Sequence, residues 1–263
     1  MHERERHRLI LNAVQSRAVA TVGELVALTA SSEATVRRDI AALDSAGRLR
    51  RVRGGAEALE PSGPGTLLGR SFRANETLHI EKKRAIARAA SALCADGEPI
   101  IINGGTTTFQ MVHALGDRRL QVFTNSFPIA EHLLHHSRNG VMIQGGTIYR
   151  EQSIILSPFE NDVSRHFYAR KMFMSSQGIG PQGLMEADPL LIQAELKLID
   201  QADELIVLAD SSKFSGRSSF ILCPLERVTT VITDPGITAE NRQMLADAGV
   251  GLIVVGEAEA SAA

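Results

Sequence analysis

Between residues 83 and 255 short apolar runs take turns with amphipathic stretches of helical length, and no other feature of the chain limits its fold so narrowly. The runs fall at 99–102, 120–123, 141–144, 172–175, 205–208, 228–232 and 252–255. Helical patterns separate them at 83–95, after Thr107, and at 127–135, 190–201 and 239–248. Strands that alternate with helices in this way predict an α/β domain built on a mostly parallel sheet. Ligands of such sheets sit beyond the carboxyl ends of the strands, so the loops that leave each strand carry the functional expectation.

Those loops are rich in Gly, Thr, Ser and Asn. Asn103, Gly104, Gly105, Thr106 and Thr107 leave one strand and enter a helix, where backbone amides and hydroxyls can cradle an anion. The Gly-Lys-Ser/Thr ending of a nucleotide loop is missing, which argues against ATP. Thr124 and Asn125 follow the next strand, Gly145 and Gly146 another, and Gly178 closes the Ser176-Gln177-Gly178 turn. Asp210 and Lys213 leave the run at 205–208, offering a carboxylate for hydroxyls and a cation for phosphate. One such loop is only a turn, but five on one sheet edge describe a site.

Upstream, the Pro- and Gly-rich stretch EPSGPGTLLG (60–69) marks a boundary. The expected organisation is a small domain at 1–59, a linker and connecting segment at 60–82, and the α/β domain at 83–256. In the small domain a first helix is predicted at 4–16. Thr21 with Glu24 forms a capping box for a second helix ending near Thr29, and Ser32 caps a third at 33–44. Ala34, Val36, Ile40 and Leu43 of that helix are expected inside, leaving Thr35, Arg37, Arg38 and Asp39 outside. Gly47 ends the helix, and residues 48–52, 53–55 and 56–59 read as strand, turn and return strand. The net charge of −2 conceals a basic cluster, because Arg37, Arg38, Arg48, Arg50, Arg51 and Arg53 face only Asp39 and Asp44. A winged helix-turn-helix with arginines on the recognition helix and wing fits the major groove and the phosphates of double-stranded DNA.

The stretch SEATVRRDIAALDSAGRLRRVRGGAEA (32–58) resembles the DNA-binding signature of DeoR-type transcriptional regulators. Ser32, Thr35, Arg37, Arg38, Asp39, Gly47, Arg51, Gly54, Gly55 and Ala56 fall on that pattern, although Arg53 stands where the family often has His. The Gly-Thr-Thr loop, the Thr-Asn step, the Gly-Gly pair, Glu195 and Lys197 on a helix, and the Asp-Ser-Ser-Lys loop extend the likeness over nearly the whole chain. Asn103 departs from an Asp found in many members, which removes a carboxylate from that loop. The resemblance implies a repressor of a carbohydrate-catabolism operon, with a sensor similar to the ribose-phosphate isomerase and CoA-transferase fold that responds to a phosphorylated sugar. VRGGAEA (52–58) and SIILSP (153–158) look most like the ascorbate-utilisation branch, adding an ascorbate phosphate to pentose and tetritol phosphates as effectors.

The implied DNA-binding residues are Ser32, Thr35, Arg37, Arg38, Arg51 and Arg53, and the strand-end residues above with Glu195 and Lys197 form the effector set. Asp39 is expected to pair with a neighbouring arginine. A homo-oligomer is expected, because one helix-turn-helix covers only a short half-site. The alternative is a sugar-phosphate isomerase-like enzyme carrying a DNA-binding domain. The charged start MHERERHRL lacks a secretory core and no apolar run spans a bilayer, so a cytoplasmic protein without membrane contact is expected. His132, His135 and His136 read as exposed or capping, with neither metal nor cofactor expected. Cys94 and Cys223 read as core residues.

Overall fold

The computed structural model describes residues 2–17, 19–57, 72–216 and 218–256. They divide into two compact units, Met1–Thr66 with Arg73–Leu78, and Leu67–Phe72 with His79–Ala263.

The first unit runs α1 (Glu3–Arg17), β1 (Val19–Thr21), α2 (Val22–Thr29), α3 (Glu33–Ser45), β2 (Arg50–Val52) and β3 (Gly55–Glu57). Its helix starts follow the side chains that cap them. Glu24 N donates to Thr21 Oγ1 at 3.3 Å while Thr21 N donates to Glu24 Oε2 at 2.8 Å, so each residue satisfies a backbone donor or side chain of the other. Ser32 Oγ accepts from Thr35 N at 3.3 Å at the start of α3. At its end Gly47 takes φ +64°, which lets Arg48 N reach Leu43 O at 2.9 Å and Gly47 N reach Asp44 O at 2.9 Å. Ile10, Val14, Leu25, Val36, Ile40, Leu43 and Leu49 fill the core beneath.

Two expectations for α3 are corrected. Ala34 is exposed, whereas Asp39 is buried and receives Arg6 Nε of α1 at 2.7 Å and Arg6 Nη2 at 3.2 Å. Asp39 lies three residues beyond Val36, on the edge of the inward face, and burial is tolerated because α1 supplies the countercharge. The wing is also shorter than expected. β2 begins at Arg50 because Leu49 is drawn into the core, and Gly55 belongs to β3 rather than to the turn. β3 lies between β1 and β2, with Ala20 and Arg51 both opposite Ala56. Residues 58 and 59 of the expected return strand lie outside the described residues.

Next come α4 (Phe72–Glu76), α5 (Ile80–Ala92), β4 (Pro99–Ile102), α6 (Thr106–Val112), β5 (Gln121–Thr124), α7 (Phe127–His136) and β6 (Gly140–Ile143). β7 (Thr147–Tyr149), β8 (Ile154–Leu156), β9 (Ala169–Met174), β10 (Gly178–Gly180), β11 (Gly183–Glu186) and α8 (Pro189–Ile199) follow, then β12 (Ala202–Leu208), β13 (Phe220–Cys223), β14 (Thr230–Thr233), α9 (Ala239–Asp247) and β15 (Gly251–Val254). Seven parallel strands in the order β15-β14-β12-β9-β4-β5-β6 form the main sheet. Ile101, Phe123, Met172, Val207 and Val231 pack on one face, while their neighbours Ile100, Val122, Phe173, Ile206 and Ile232 pack on the other. Burial of both faces explains the unbroken apolar runs in the sequence.

α5 starts three residues before the expected helix, so the connecting segment at 72–82 already contains α4 and the first turn of α5. β9 and β12 also start earlier, since charged residues at their amino ends are paired, as with Lys171 Nζ and Glu98 Oε1 at 2.6 Å. Also not expected were β1, α4, the antiparallel hairpin β7–β8, and a small antiparallel sheet in the order β10-β11-β13. Among the described residues no helix is long and apolar enough to cross a membrane.

Candidate functional site

The first unit turns a basic surface outward. Arg37 and Arg38 are exposed on either side of the helical face defined by buried Val36 and Ile40. Glu33 Oε1 receives Arg37 Nε at 2.9 Å and Nη2 at 2.6 Å, which holds the guanidinium along α3. Asp44 Oδ1 accepts Arg51 N at 2.9 Å and so ties the wing to the end of α3. Between helix and wing lies a cleft of about 460 Å³, lined by Arg37, Asp44, Arg51, Arg53, Gly54 and Gly55. Ser32 and Thr35 join their hydroxyls at 2.8 Å at the start of the same helix. The sequence-derived set Ser32, Thr35, Arg37, Arg38, Arg51 and Arg53 thus belongs to α3 and the adjoining wing.

In the second unit the carboxyl ends of the central strands converge on buried polar side chains. After β4, Asn103 is fully buried and its Nδ2 donates to Glu195 Oε1 of α8 at 3.1 Å. Gly104 N donates to Asn125 Oδ1 at 2.9 Å, linking the ends of β4 and β5, and Thr124 Oγ1 donates to Ile102 O at 2.6 Å. Gly104 and Gly105 are needed for space. A Cβ on Gly104 would meet Ile154 Cγ1 at 2.7 Å, and one on Gly105 would meet Ser175 Oγ at 2.4 Å. Thr106 and Thr107 then open α6, with Thr107 buried.

Hydrogen bonding at this edge is incomplete. Asn103 Oδ1, Asn125 Nδ2, Gln144 Oε1, Ser175 Oγ and Glu195 Oε2 are buried and unpartnered. Unpaired buried polar atoms cost about 1–3 kcal/mol each, so their concentration at strand ends marks a place for a polar ligand. Burial, reinforced by the charge of Glu186, drives the Glu195 carboxyl well above its ordinary range. Glu186 is itself pushed up to about 7 by burial, against backbone donors from Ala187 and Asp188 and the charge of Lys213, which pull it down. Glu186, Gln144 and Ser175 were not found in the sequence: Gln144 and Ser175 read there as the last residues of the apolar runs at 141–144 and 172–175, just short of the glycine-bearing turns, and Glu186 ends β11, a strand that was not expected.

Other expected residues lie elsewhere or serve the fold. Lys197 is two positions from Glu195 and therefore on another side of α8; its Nζ pairs with Asp162 Oδ2 at 3.4 Å and donates to Phe159 O at 2.5 Å. Gly178 begins β10, where a Cβ would lie 2.9 Å from Gly216 O. Gly145 and Gly146 lead into the hairpin, and Gly146 packs on the Leu156 carbonyl. Asp210 Oδ1 accepts from Ser212 N at 3.0 Å and so caps the short turn that carries Lys213. The neighbouring Asp234 takes Lys82 Nζ at 2.7 Å. His132 meets His113 edge-on with ring centroids 4.4 Å apart, joining α7 to the end of α6. Cys94 and Cys223 are buried, and burial raises their thiols to about 12 and about 11. Among the described residues no group of His, Cys, Asp and Glu is placed to hold a metal ion.

A DeoR-like helix-turn-helix domain matches residues 6–62, and a DeoR C terminal sensor domain matches residues 78–235. The chain belongs to the DeoR family. The HTH-type transcriptional regulator UlaR of Shigella dysenteriae serotype 1 is 35% identical to this DeoR-family chain over 255 residues, covering 97% of it and 100% of UlaR. UlaR of Escherichia coli K12 is 34% identical with the same coverage. This DeoR-family chain is a DNA-binding transcriptional regulator rather than an enzyme. Among solved structures, ribose 5-phosphate isomerase A of Methanocaldococcus jannaschii is 16% identical with a TM-score of 0.39, covering 52% of this chain and 55% of its own. The translation initiation factor eIF-2B of Pyrococcus horikoshii OT3 is 16% identical with a TM-score of 0.36, covering 79% and 66%.

Proposed function

We propose that this regulator represses a carbohydrate-catabolism operon, binding operator DNA through α3 and the wing under the control of a phosphorylated sugar. The observation that carries the effector reading is the group of unpartnered polar atoms on Asn103, Asn125, Gln144, Ser175 and Glu195 at one edge of the sheet. In this reading Asn103, Asn125 and Glu195 meet sugar hydroxyls, Gly104, Gly105, Thr106, Thr107 and Thr124 supply neutral donors and backbone approach, and Lys213 meets the phosphate with Asp210 fixing its turn. Gly145, Gly146 and Gly178 shape the surrounding loops. On DNA, Arg37, Arg38, Arg51 and Arg53 meet phosphates or base edges, with Ser32 and Thr35 at the leading end of the helix. The regulator acts as a homo-oligomer on paired half-sites, since a single reader of this size spans too little DNA for a specific operator.

Thermal melting of the full chain tests the effector assignment, with ribose 5-phosphate, erythritol 4-phosphate and ascorbate 6-phosphate each compared with its unphosphorylated parent. The expected result is a rise in melting temperature with at least one phosphate ester and with no parent compound. Absence of any rise at saturating concentrations removes the proposed effector class. The UlaR likeness makes ascorbate 6-phosphate the first ester to try.

A further inference from the structure

The seven-stranded sheet ends in two different ways. At one edge, β15 keeps Leu252, Ile253 and Val254 half-buried. At the other, β6 pairs with β5 alone among the described residues, and its sequence Gly-Val-Met-Ile carries none of the charges or prolines that protect an exposed edge. Met142 is 42% and Ile143 45% exposed, on opposite faces of the same strand. Strands of parallel sheets are normally covered on both faces, so this exposure is a departure that needs a partner.

α7 continues the surface on one face. Ile129 and Leu133 bury its inner side, and His132 meets His113 edge-on at the end of α6, so the flank bearing His132 faces α6. Leu134 is two residues, or about 200° of helix, further on and therefore lies on the side away from α6. It is 70% exposed, the most exposed large apolar side chain among the described residues. Glu131 and Arg138, both exposed, flank it on either side along the chain.

The geometry points to this edge as the surface on which a second copy of the chain docks, β6 against β6 about a twofold axis. Three properties specify a copy rather than an unrelated protein. The unpaired backbone of β6 is complemented by another extended strand. A twofold presents the same apolar side chains to themselves on both faces of the edge, Leu134 and Ile143 on the α7 side and Met142 on the other. With the two α7 helices antiparallel, Glu131 of one copy is set towards Arg138, two residues past the end of the other copy's α7, so the charges beside the patch complement each other under that symmetry. This inference rests on the oligomer reading above and assigns its surface.

The test uses the full chain and its mass in solution by light scattering across a dilution series. Wild type is expected at two chains or a multiple of two. Met142→Lys and Leu134→Glu are expected to halve that mass or to weaken association about tenfold or more, with melting of the diluted protein unchanged, while Ile221→Glu on β13 leaves mass unaltered. Glu131→Arg alone weakens association, and adding Arg138→Glu restores it. A monomeric wild type overturns both the oligomer reading and its surface. An oligomeric wild type whose mass survives both apolar substitutions overturns the surface and leaves the oligomer standing. Failure of the charge exchange to restore association overturns the twofold arrangement.

Discussion

At the scale of single residues, Lys213 and Glu186 define the electrostatics of the strand-end cluster. Lys213 is the cation whose charge lowers the Glu186 carboxyl, and it leaves β12 on a turn capped by Asp210. A charge-assisted contact from this lysine to a phosphate contributes about 1.5–3 kcal/mol, so Lys213→Ala should weaken effector affinity roughly ten- to a hundredfold or more. Operator affinity of the same variant, measured by fluorescence anisotropy without effector, should equal that of wild type. Superimposable effector titrations would move the phosphate site elsewhere. The sequence was informative here where chemistry and local pattern coincide, as at Asn103, Asn125 and the Asp210–Lys213 turn. It was silent at Glu186, Gln144 and Ser175, whose significance comes from burial, a property of the whole sheet. Asp39 illustrates the same division. Its structural role is readable from its place beside two arginines, but the arginine that takes it is Arg6 of α1, 33 residues away and not a neighbour.

At the scale of elements, helices were legible wherever a capping side chain announced them, at Thr21, Ser32 and, in the sensor, along the main apolar runs. The antiparallel pieces of the second unit were not, because strands of three or four residues give no alternation for a period to emerge. The wing depends on one such glycine. A Cβ on Gly55 would lie 2.2 Å from Ala20 O, inside any permissible contact, so Gly55→Ala must push β3 off β1. The expected outcome is a loss of operator affinity of roughly tenfold or more from misplacement of Arg51 and Arg53. Effector-induced stabilisation of the sensor should persist in this variant, read by melting with the active phosphate ester. Unchanged DNA binding would show that the wing makes no contact of consequence.

At the scale of the whole molecule, the buried carboxylates make stability depend on pH. Glu186 rises to about 7 and Glu195 is raised in the same direction, both through burial first. A carboxyl raised above its unfolded value of about 4.3 favours the folded state while protonated, and that contribution fades as pH climbs through the folded value. The melting temperature of the sensor should therefore fall between about pH 5 and about pH 8, and Glu186→Gln should flatten the decline. A profile that rises over that interval would exclude the assignment. The placement of β3 carries a separate consequence. This strand lies between β1 and β2 in the first unit, with the entry to α2 on one side and the wing tip on the other. Both arms of the DNA reader therefore take their position from one three-residue strand, and a shift of β3 disturbs the two together.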